Sequence, residues 1–526
     1  MPAPASATNP QPGRLTTLLL ALLGGAATRL AFPAPGWWFL AFVGIALLYL
    51  ALRRDGAWWN ALVGLTWGIA FFPALITWAD DAVGPVPWLA LSLAQAGFVA
   101  IFGAAWTWAR RGTGVWRSGW WQLLTFTVLW VAIEELRSAA PFGGFPWGRL
   151  AFSQSDAPLV AYASWGGVPL LGAVVCAVGV LLGRLVVTLR RAQVLAAASA
   201  SLVAVAVVLG GFLVPLPTRA EAGELKVGAV QGNVPGEGLD AFGERAAVLG
   251  NHVAGTRALL DQVSPGELDV VLWPENGTDI DPQVDAAAAA AIDGAARAVG
   301  APILVGTVQY PASGGRYNTA VLWEPGVGPV ASYSKQHPAP FAEYIPMRSI
   351  ARKFSSAVDL VTRDMLPGTG PGYVPLDSPR LGRVVGIGDV ICFEVAYDAL
   401  VRDAVRAGGE VLVVQTNNAT FGHSDESTQQ LAMSRVRAVE HARATVQIST
   451  VGVSAVIQPN GVVTQQTELF TADQMVANLP LRTSQTLATR LGPWPAWVFD
   501  ALAVCTVIAG AVGASRVRKP ARGIAA

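Results

Sequence analysis

The sequence predicts two architectures in one chain, a multi-pass α-helical membrane domain and an α/β domain hung between its last two spans. Two observations carry this. Over half of the 526 residues are hydrophobic (53%) and only 13% are charged, far from the balance of a soluble protein. The apolar residues are also unevenly distributed, leaving one long segment, from about Glu224 to Pro480, that reads as water-soluble.

Seven apolar stretches precede residue 220: Leu15 to Phe32, Trp38 to Leu52, Trp58 to Trp78, Val86 to Trp108, Trp120 to Ile133, Leu159 to Leu182 and Val194 to Val214. An eighth runs from Trp494 to Ala514. A bilayer core of about 30 Å needs about 20 helical residues, which most of these supply once tilt and interfacial tryptophans are allowed. Trp120 to Ile133 is the weakest, and needs Glu134 and Glu135 to face the protein interior.

Lys and Arg at span ends prefer the cytoplasm. Arg14 precedes the first span; Arg53 and Arg54 follow the second, Arg110, Arg111 and Arg117 the fourth, and Arg184, Arg190 and Arg191 the sixth. Arg516, Arg518, Lys519 and Arg522 follow the last. Alternation puts both termini inside and the long segment between the seventh and eighth spans outside. The expected organisation is a membrane domain over 1–220, a catalytic domain over 224–482, a final span over 493–515 and a basic cytoplasmic tail over 516–526. The first span has the look of a signal peptide, with small residues near Ala26 and Ala27, but this topology does not require its removal.

In the soluble segment, Leu225 to Gln231, Val270 to Trp273, Ile303 to Thr307, Thr319 to Trp323, Arg383 to Ile391, Val411 to Gln415, Thr445 to Thr450, Ala455 to Gln458 and Val462 to Gln465 read as strands. Ala241 to Gln262, Val284 to Val299, Tyr397 to Arg406 and Ser427 to Arg443 read as helices. Several strands are apolar on both faces, so helices or a second sheet must cover them.

Cys392 is the only cysteine in this segment; Cys176 and Cys505 sit in apolar runs. A buried structural thiol is the plain reading of such a residue. Glu275, after Val270-Val-Leu-Trp-Pro, and Lys335, after Ala331-Ser-Tyr-Ser, also fall at strand ends, where scaffolds commonly place reactive groups. Taken singly, they are a surface carboxylate and a loop charge.

Together and in this order, Glu275, Lys335 and Cys392 resemble the Glu-Lys-Cys triad of the nitrilase (carbon-nitrogen hydrolase) superfamily. Further motifs narrow the resemblance to its membrane-embedded branch, the apolipoprotein N-acyltransferase family. They are Gln231-Gly-Asn-Val-Pro235, Trp273-Pro-Glu275, Tyr333-Ser-Lys335, Pro340-Phe-Ala-Glu343-Tyr-Ile-Pro346, Cys392-Phe-Glu394, Asn417-Asn418, Phe421-Gly422, Arg437-Ala-Val-Glu440 and Gly452-Val-Ser454-Ala, with Gly143-Gly-Phe-Pro-Trp147 in the membrane segment. The chain departs from the family at Gly236-Glu-Gly-Leu-Asp240, where a tryptophan is usual. Phe393 replaces a tyrosine, and Ala342 a glycine.

The resemblance implies about eight transmembrane helices plus an extracytoplasmic, nitrilase-like α-β-β-α sandwich in the bacterial cytoplasmic membrane. It implies acyl transfer from a phospholipid donor to a diacylglyceryl-apolipoprotein acceptor through a Cys392 thioester. Glu275 would be the base and Lys335 the stabilising cation, with the Phe393 amide completing an oxyanion hole. Glu343 would orient Lys335 or guide protons, and Glu394 would support that network or serve as an ion-pair partner. Phe341, Tyr344 and Asn418 are candidate substrate contacts, and the segments 341–347 and 350–366 candidate lids. No cofactor is expected, and His337, His423 and His441 lack metal-ligand spacing. A net charge of +1 without a basic stripe gives no sign of nucleic-acid binding. A membrane-tethered amidase would use the same triad but needs only one span. A transporter would line a path with intramembrane charges, whereas here the spans and their ends carry few beyond Arg29, Glu134, Glu135 and Arg137.

Overall fold

In a computed structural model, the described residues are 11–111, 115, 118–234, 245–278 and 280–517. Arg117, the Gly236–Asp240 departure, the start of the Ala241 to Gln262 helix, and Arg518, Lys519 and Arg522 lie outside them.

Helices Arg14–Leu30, Leu40–Ala51, Ala57–Leu75, Pro85–Arg110, Gly119–Ala139, Ala163–Arg190 and Val194–Gly210 occupy the positions of the seven expected N-terminal stretches, and Trp494–Val517 that of the last. Five helical segments are long and apolar enough to cross a bilayer: Ala57–Leu75, Pro85–Arg110, Pro158–Arg190, Val194–Leu213 and Trp494–Gly513. Leu40–Ala51 has only 12 residues and Arg14–Leu30 only 17. Gly119–Ala139 carries Glu134, Glu135 and Arg137.

Small residues let these helices approach closely, the usual device where lipid gives no hydrophobic drive for association. A methyl group on Gly64 would lie 2.2 Å from the Val99 carbonyl oxygen, and one on Gly103 would lie 2.1 Å from that of Asn60. Leu195, Leu202, Val205 and Leu209 remain exposed along one helix.

Among the described residues the second domain has twelve strands: β1 (Glu224–Gln231), β2 (Val270–Leu272), β3 (Ile303–Gln309), β4 (Tyr317–Glu324), β5 (Gly328–Ser334), β6 (Tyr373–Ser378), β7 (Arg383–Ile391), β8 (Val411–Thr416), β9 (Thr445–Ser449), β10 (Ala455–Ile457), β11 (Val463–Gln466) and β12 (Asp473–Pro480). They form two six-stranded sheets, β12-β1-β2-β3-β4-β5 and β11-β10-β9-β8-β7-β6. Val227, Leu272 and Leu304 of one sheet and Ile387, Val413 and Val446 of the other share a single core between them. Helices Arg245–Ala258 and Ala286–Val299 accompany the outer face of the first sheet, where Ile292 and Val299 pack with Val271 and Val305. Asp398–Arg406 and Glu426–His441 cover the second, and their core runs on into that of the membrane helices. The layers are therefore α-β-β-α, resolving the choice between covering helices and a second sheet in favour of both.

β5, β6 and β12 are not among the expected strands, and each lies at a sheet edge. Edge strands alternate buried with exposed residues and tolerate proline, such as Pro329 and Pro375, so their sequences lack the doubly apolar signature.

The membrane helices grip the catalytic layer directly. Arg29 pairs with Asp425 at 2.6 Å. Gln429 accepts the Trp147 indole N–H at 2.6 Å and donates to the carbonyls of Pro33 (3.2 Å) and Leu75 (3.1 Å).

Candidate active site

Glu275 follows β2 in a loop pressed against β3. Gly306 makes that approach possible, since a methyl group there would lie 2.1 Å from the Pro274 carbonyl oxygen. The carboxylate is buried, and its Oε2 accepts the Asn417 backbone N–H at 2.9 Å. Oε1 accepts from the Asn318 side-chain amide and from Lys335 Nζ at 3.3 Å.

Lys335 directly follows β5, and its backbone N–H bonds to the Asn318 carbonyl at 2.8 Å. Its ammonium is buried between two carboxylates, at 3.3 Å from Glu275 and 2.8 Å from Glu343. Burial alone disfavours a lysine cation, but Glu275 and Glu343 outweigh it and hold the pKa well above the ordinary value. The other oxygen of Glu343 accepts the Ala339 N–H at 2.6 Å, closing the loop around the lysine.

Cys392 directly follows β7, with φ +54°, a left-handed conformation that costs a non-glycine residue about 1–3 kcal/mol and turns the chain sharply. β7 runs parallel to β8 with Ile391 opposite Gln415, which sets Thr416 beside the thiol. Thr416 Oγ1 lies 3.4 Å from Sγ, Gln430 Nε2 lies 3.8 Å from it, and Glu275 is near enough for it and the thiol to perturb each other. Burial pushes the thiol pKa up, the negative field of Glu275 pushes the same way, and Lys335 opposes both. Burial also raises Glu275, against the pull of Lys335. The resting pair thus holds a neutral thiol beside a carboxylate whose proton affinity is above normal.

Glu394 makes no ion pair among the described residues. It accepts from Tyr333 Oη (2.9 Å) and from the N–H groups of Gln336 (2.7 Å), His337 (3.1 Å) and Ile391 (2.8 Å), tying the lysine loop to the cysteine turn. The Phe393 ring stacks on Trp147, 5.4 Å between centroids and 4° between planes, placing a membrane-domain tryptophan beside the cysteine turn.

Phe341 and Tyr344 stand apart from the triad. Phe341 is 40% exposed and meets Phe142 edge-on at 5.8 Å, and its N–H bonds to the Tyr344 carbonyl at 2.7 Å. Asn418 lies close by but directs its amide to Glu426 (2.6 Å) and Gln430 (3.1 Å), and accepts from Ser449 (2.6 Å).

Sequence reasoning did not single out Asn318, Thr416, Gln430 or Glu426. Glu426 and Gln430 lie four apart, on one helix face, the available signal. Arg149 and Asp398 went unnoticed too. The Arg437 guanidinium, completely buried, donates to the carbonyls of Val395 and Ala396 (both 2.8 Å) and pairs with Asp398 (2.7 Å) and Glu440. Asp398 in turn pairs with Arg149 at 2.9 Å, and Arg149 with Glu135 of a membrane helix. A chain of buried charges therefore runs from that helix to the turn carrying the cysteine.

Residues 24–181 match the family model for the apolipoprotein N-acyltransferase N-terminal domain, and residues 226–489 that for carbon-nitrogen hydrolase. An apolipoprotein N-acyltransferase of Mycolicibacterium smegmatis is 39% identical over 91% of this chain and 82% of its own length. One from Thermosynechococcus vestitus is 31% identical over 90% and 91%. A looser likeness, TM-score 0.38 at 19% identity over 52% of this chain and 96% of the other, relates it to a Nesterenkonia AN1 amidase of the nitrilase superfamily and adds nothing to the assignment. With both halves matched in order and the relatives aligned along nearly its whole length, this chain belongs to the apolipoprotein N-acyltransferase family and is an acyltransferase.

Proposed function

We propose that this protein moves a fatty acyl chain from a membrane phospholipid to the α-amino group of the S-diacylglyceryl-cysteine at an apolipoprotein N-terminus. The observation that carries the reading is one buried carboxylate, Glu275, which holds Lys335 at 3.3 Å and acts on the Cys392 thiol, in a site where a membrane-domain tryptophan stacks on Phe393 beside the cysteine.

In the first half-reaction Glu275 takes the thiol proton as Cys392 Sγ attacks the phospholipid ester carbonyl. Both groups hold protons more tightly than in water, so the transfer exchanges a buried carboxylate for a buried thiolate beside the same ammonium. Lys335 and the Phe393 amide steady the oxyanion; one such donor is worth about 3–4 kcal/mol. Glu275 returns its proton to the departing lysophospholipid oxygen, leaving a thioester. In the second, the acceptor amine attacks the thioester, Glu275 receives a proton from nitrogen and passes it to the leaving sulfur, and an amide remains. Glu343 holds Lys335 in place, and Glu394 fixes the lysine loop against the cysteine turn.

Both substrates are lipids and the thioester must be kept from water, which gives the membrane helices a role beyond anchoring. Eight spans, with both termini cytoplasmic and the sandwich on the outer face, agree with the alternation of basic loops. Segments 341–347 and 350–366, with exposed Phe341, Met347, Ile350, Phe354 and Leu360, act as the lid between the site and the lipid. The reading is tested by mass analysis of a lipoprotein N-terminus from cells with and without this protein. It expects the third acyl chain only with the protein, and an identical mass in both overturns it.

A further inference from the structure

A second carboxyl group stands near Cys392 that the chemistry above leaves idle. Glu426 opens the helix Glu426–His441 and is 2% exposed. Asn418 donates to its Oε2 at 2.6 Å. Among the described residues, Oε1 takes no hydrogen bond and no Lys or Arg pairs with the group. Asn418 and Thr416 both donate to Gln430 Oε1, at 3.1 and 2.9 Å, while Thr416 and Gln430 reach Sγ, so one polar cluster holds Glu426 and the thiol.

The titratable groups that bear on it are Glu275 and Cys392, both of which it meets as like charges when ionised. Its helix neighbour Asp425 is already paired with Arg29. Burial, reinforced by Glu275, pushes Glu426 up to about 8 against the Asn418 hydrogen bond. A buried carboxylate without a cation is costly, and a cation is what an α-amino acceptor brings. A bound α-ammonium favours the ionised form of Glu426, and the carboxylate is then the base placed to take its proton. An open cavity of about 670 Å³, lined by Thr77, Asp81 and residues 420–425, adjoins this end of the helix.

Resting on the acyl-transfer reading, we infer that Glu426 is the acceptor-side base: it receives the α-ammonium of the incoming chain and takes its first proton. The free amine then attacks the Cys392 thioester carbonyl, the C–N bond forms, and the C–S bond breaks. The second nitrogen proton goes through Glu275 to the thiolate, and Glu426 releases its own to solvent. Two protons leave nitrogen and two bases receive them.

The test is single-turnover transfer from acyl-enzyme preformed on the full-length protein in phospholipid vesicles, comparing wild type, Glu426→Gln and Glu426→Asp. Two acceptors are used: a diacylglyceryl-cysteinyl peptide and hydroxylamine, which is uncharged at neutral pH. From equal amounts of preformed thioester, Glu426→Gln should transfer to the peptide about 10²-fold more slowly at pH 7, the general-base range. The deficit should shrink above pH 9, hydroxylamine should react normally, and Glu426→Asp should recover part of the loss. Equal slowing toward both acceptors, or none toward the peptide, overturns the assignment. A wild-type protein that forms no thioester overturns the acyl-transfer reading itself, a separate outcome.

Discussion

Arg149, in the connection after a membrane helix, donates to Asp398 at 2.9 Å, the first residue of the helix that follows the cysteine turn. The pair joins the two halves of the molecule at the point where the nucleophile is positioned. Burial works against the Asp398 charge, but Arg149 and Arg437 overcome it and hold the pKa at about 2. A folded pKa below the unfolded value of about 3.9 gives stability that is present above pH 4 and lost as pH falls toward 2. Asp398→Asn should therefore cost about 3 kcal/mol at pH 7, because it breaks two buried pairs, although Arg149 keeps Glu135 and Arg437 keeps Glu440. The loss should fade at low pH. Thermal unfolding in detergent across pH 2–7 reads both effects; a variant equally destabilised at every pH contradicts this account.

Glu394→Gln keeps the shape but replaces one acceptor oxygen with a donor, facing the N–H groups of Gln336, His337 and Ile391. A buried donor left unmet costs about 1–3 kcal/mol, and the lysine loop loses its tie to the cysteine turn. The variant should form thioester about 10–100-fold more slowly, a loss of that size, with donor affinity unchanged. A rise in KM alone would place Glu394 in substrate binding instead.

Lys335→Ala leaves Glu275 and Glu343 facing each other without the ammonium between them. Burial, no longer opposed by the ammonium, then favours protonated Glu275, which is lost as a base, and the oxyanion loses a donor worth about 3–4 kcal/mol. Thioester formation should fall at least ~10²–10³-fold, nearly as far as in Cys392→Ala, in protein that remains folded by circular dichroism. Turnover within tenfold of wild type refutes the role given to the ammonium.

The parts legible in the sequence were local ones. Glu275 and Cys392 each follow a strand whose apolar run marks it, and the buried strands β1, β3, β7 and β8 announce themselves the same way. β5, β6 and β12 escaped because a sheet edge needs only one apolar face. Thr416, Gln430 and Asn318 escaped for another reason. Each is an ordinary polar residue within its own element, and it gains meaning only when parallel pairing sets Thr416 beside Cys392 or when β4 carries Asn318 to Glu275. Arg149 and Asp398 are separated by 249 residues, and no periodicity links them.

The central claim is that Cys392 carries the acyl group. The direct measurement is peptide mass spectrometry of the protein incubated with phospholipid and no acceptor. An acyl mass confined to the peptide containing Cys392, labile to hydroxylamine and absent from Cys392→Ala, is the expected result. No adduct, or one that persists in Cys392→Ala, contradicts it.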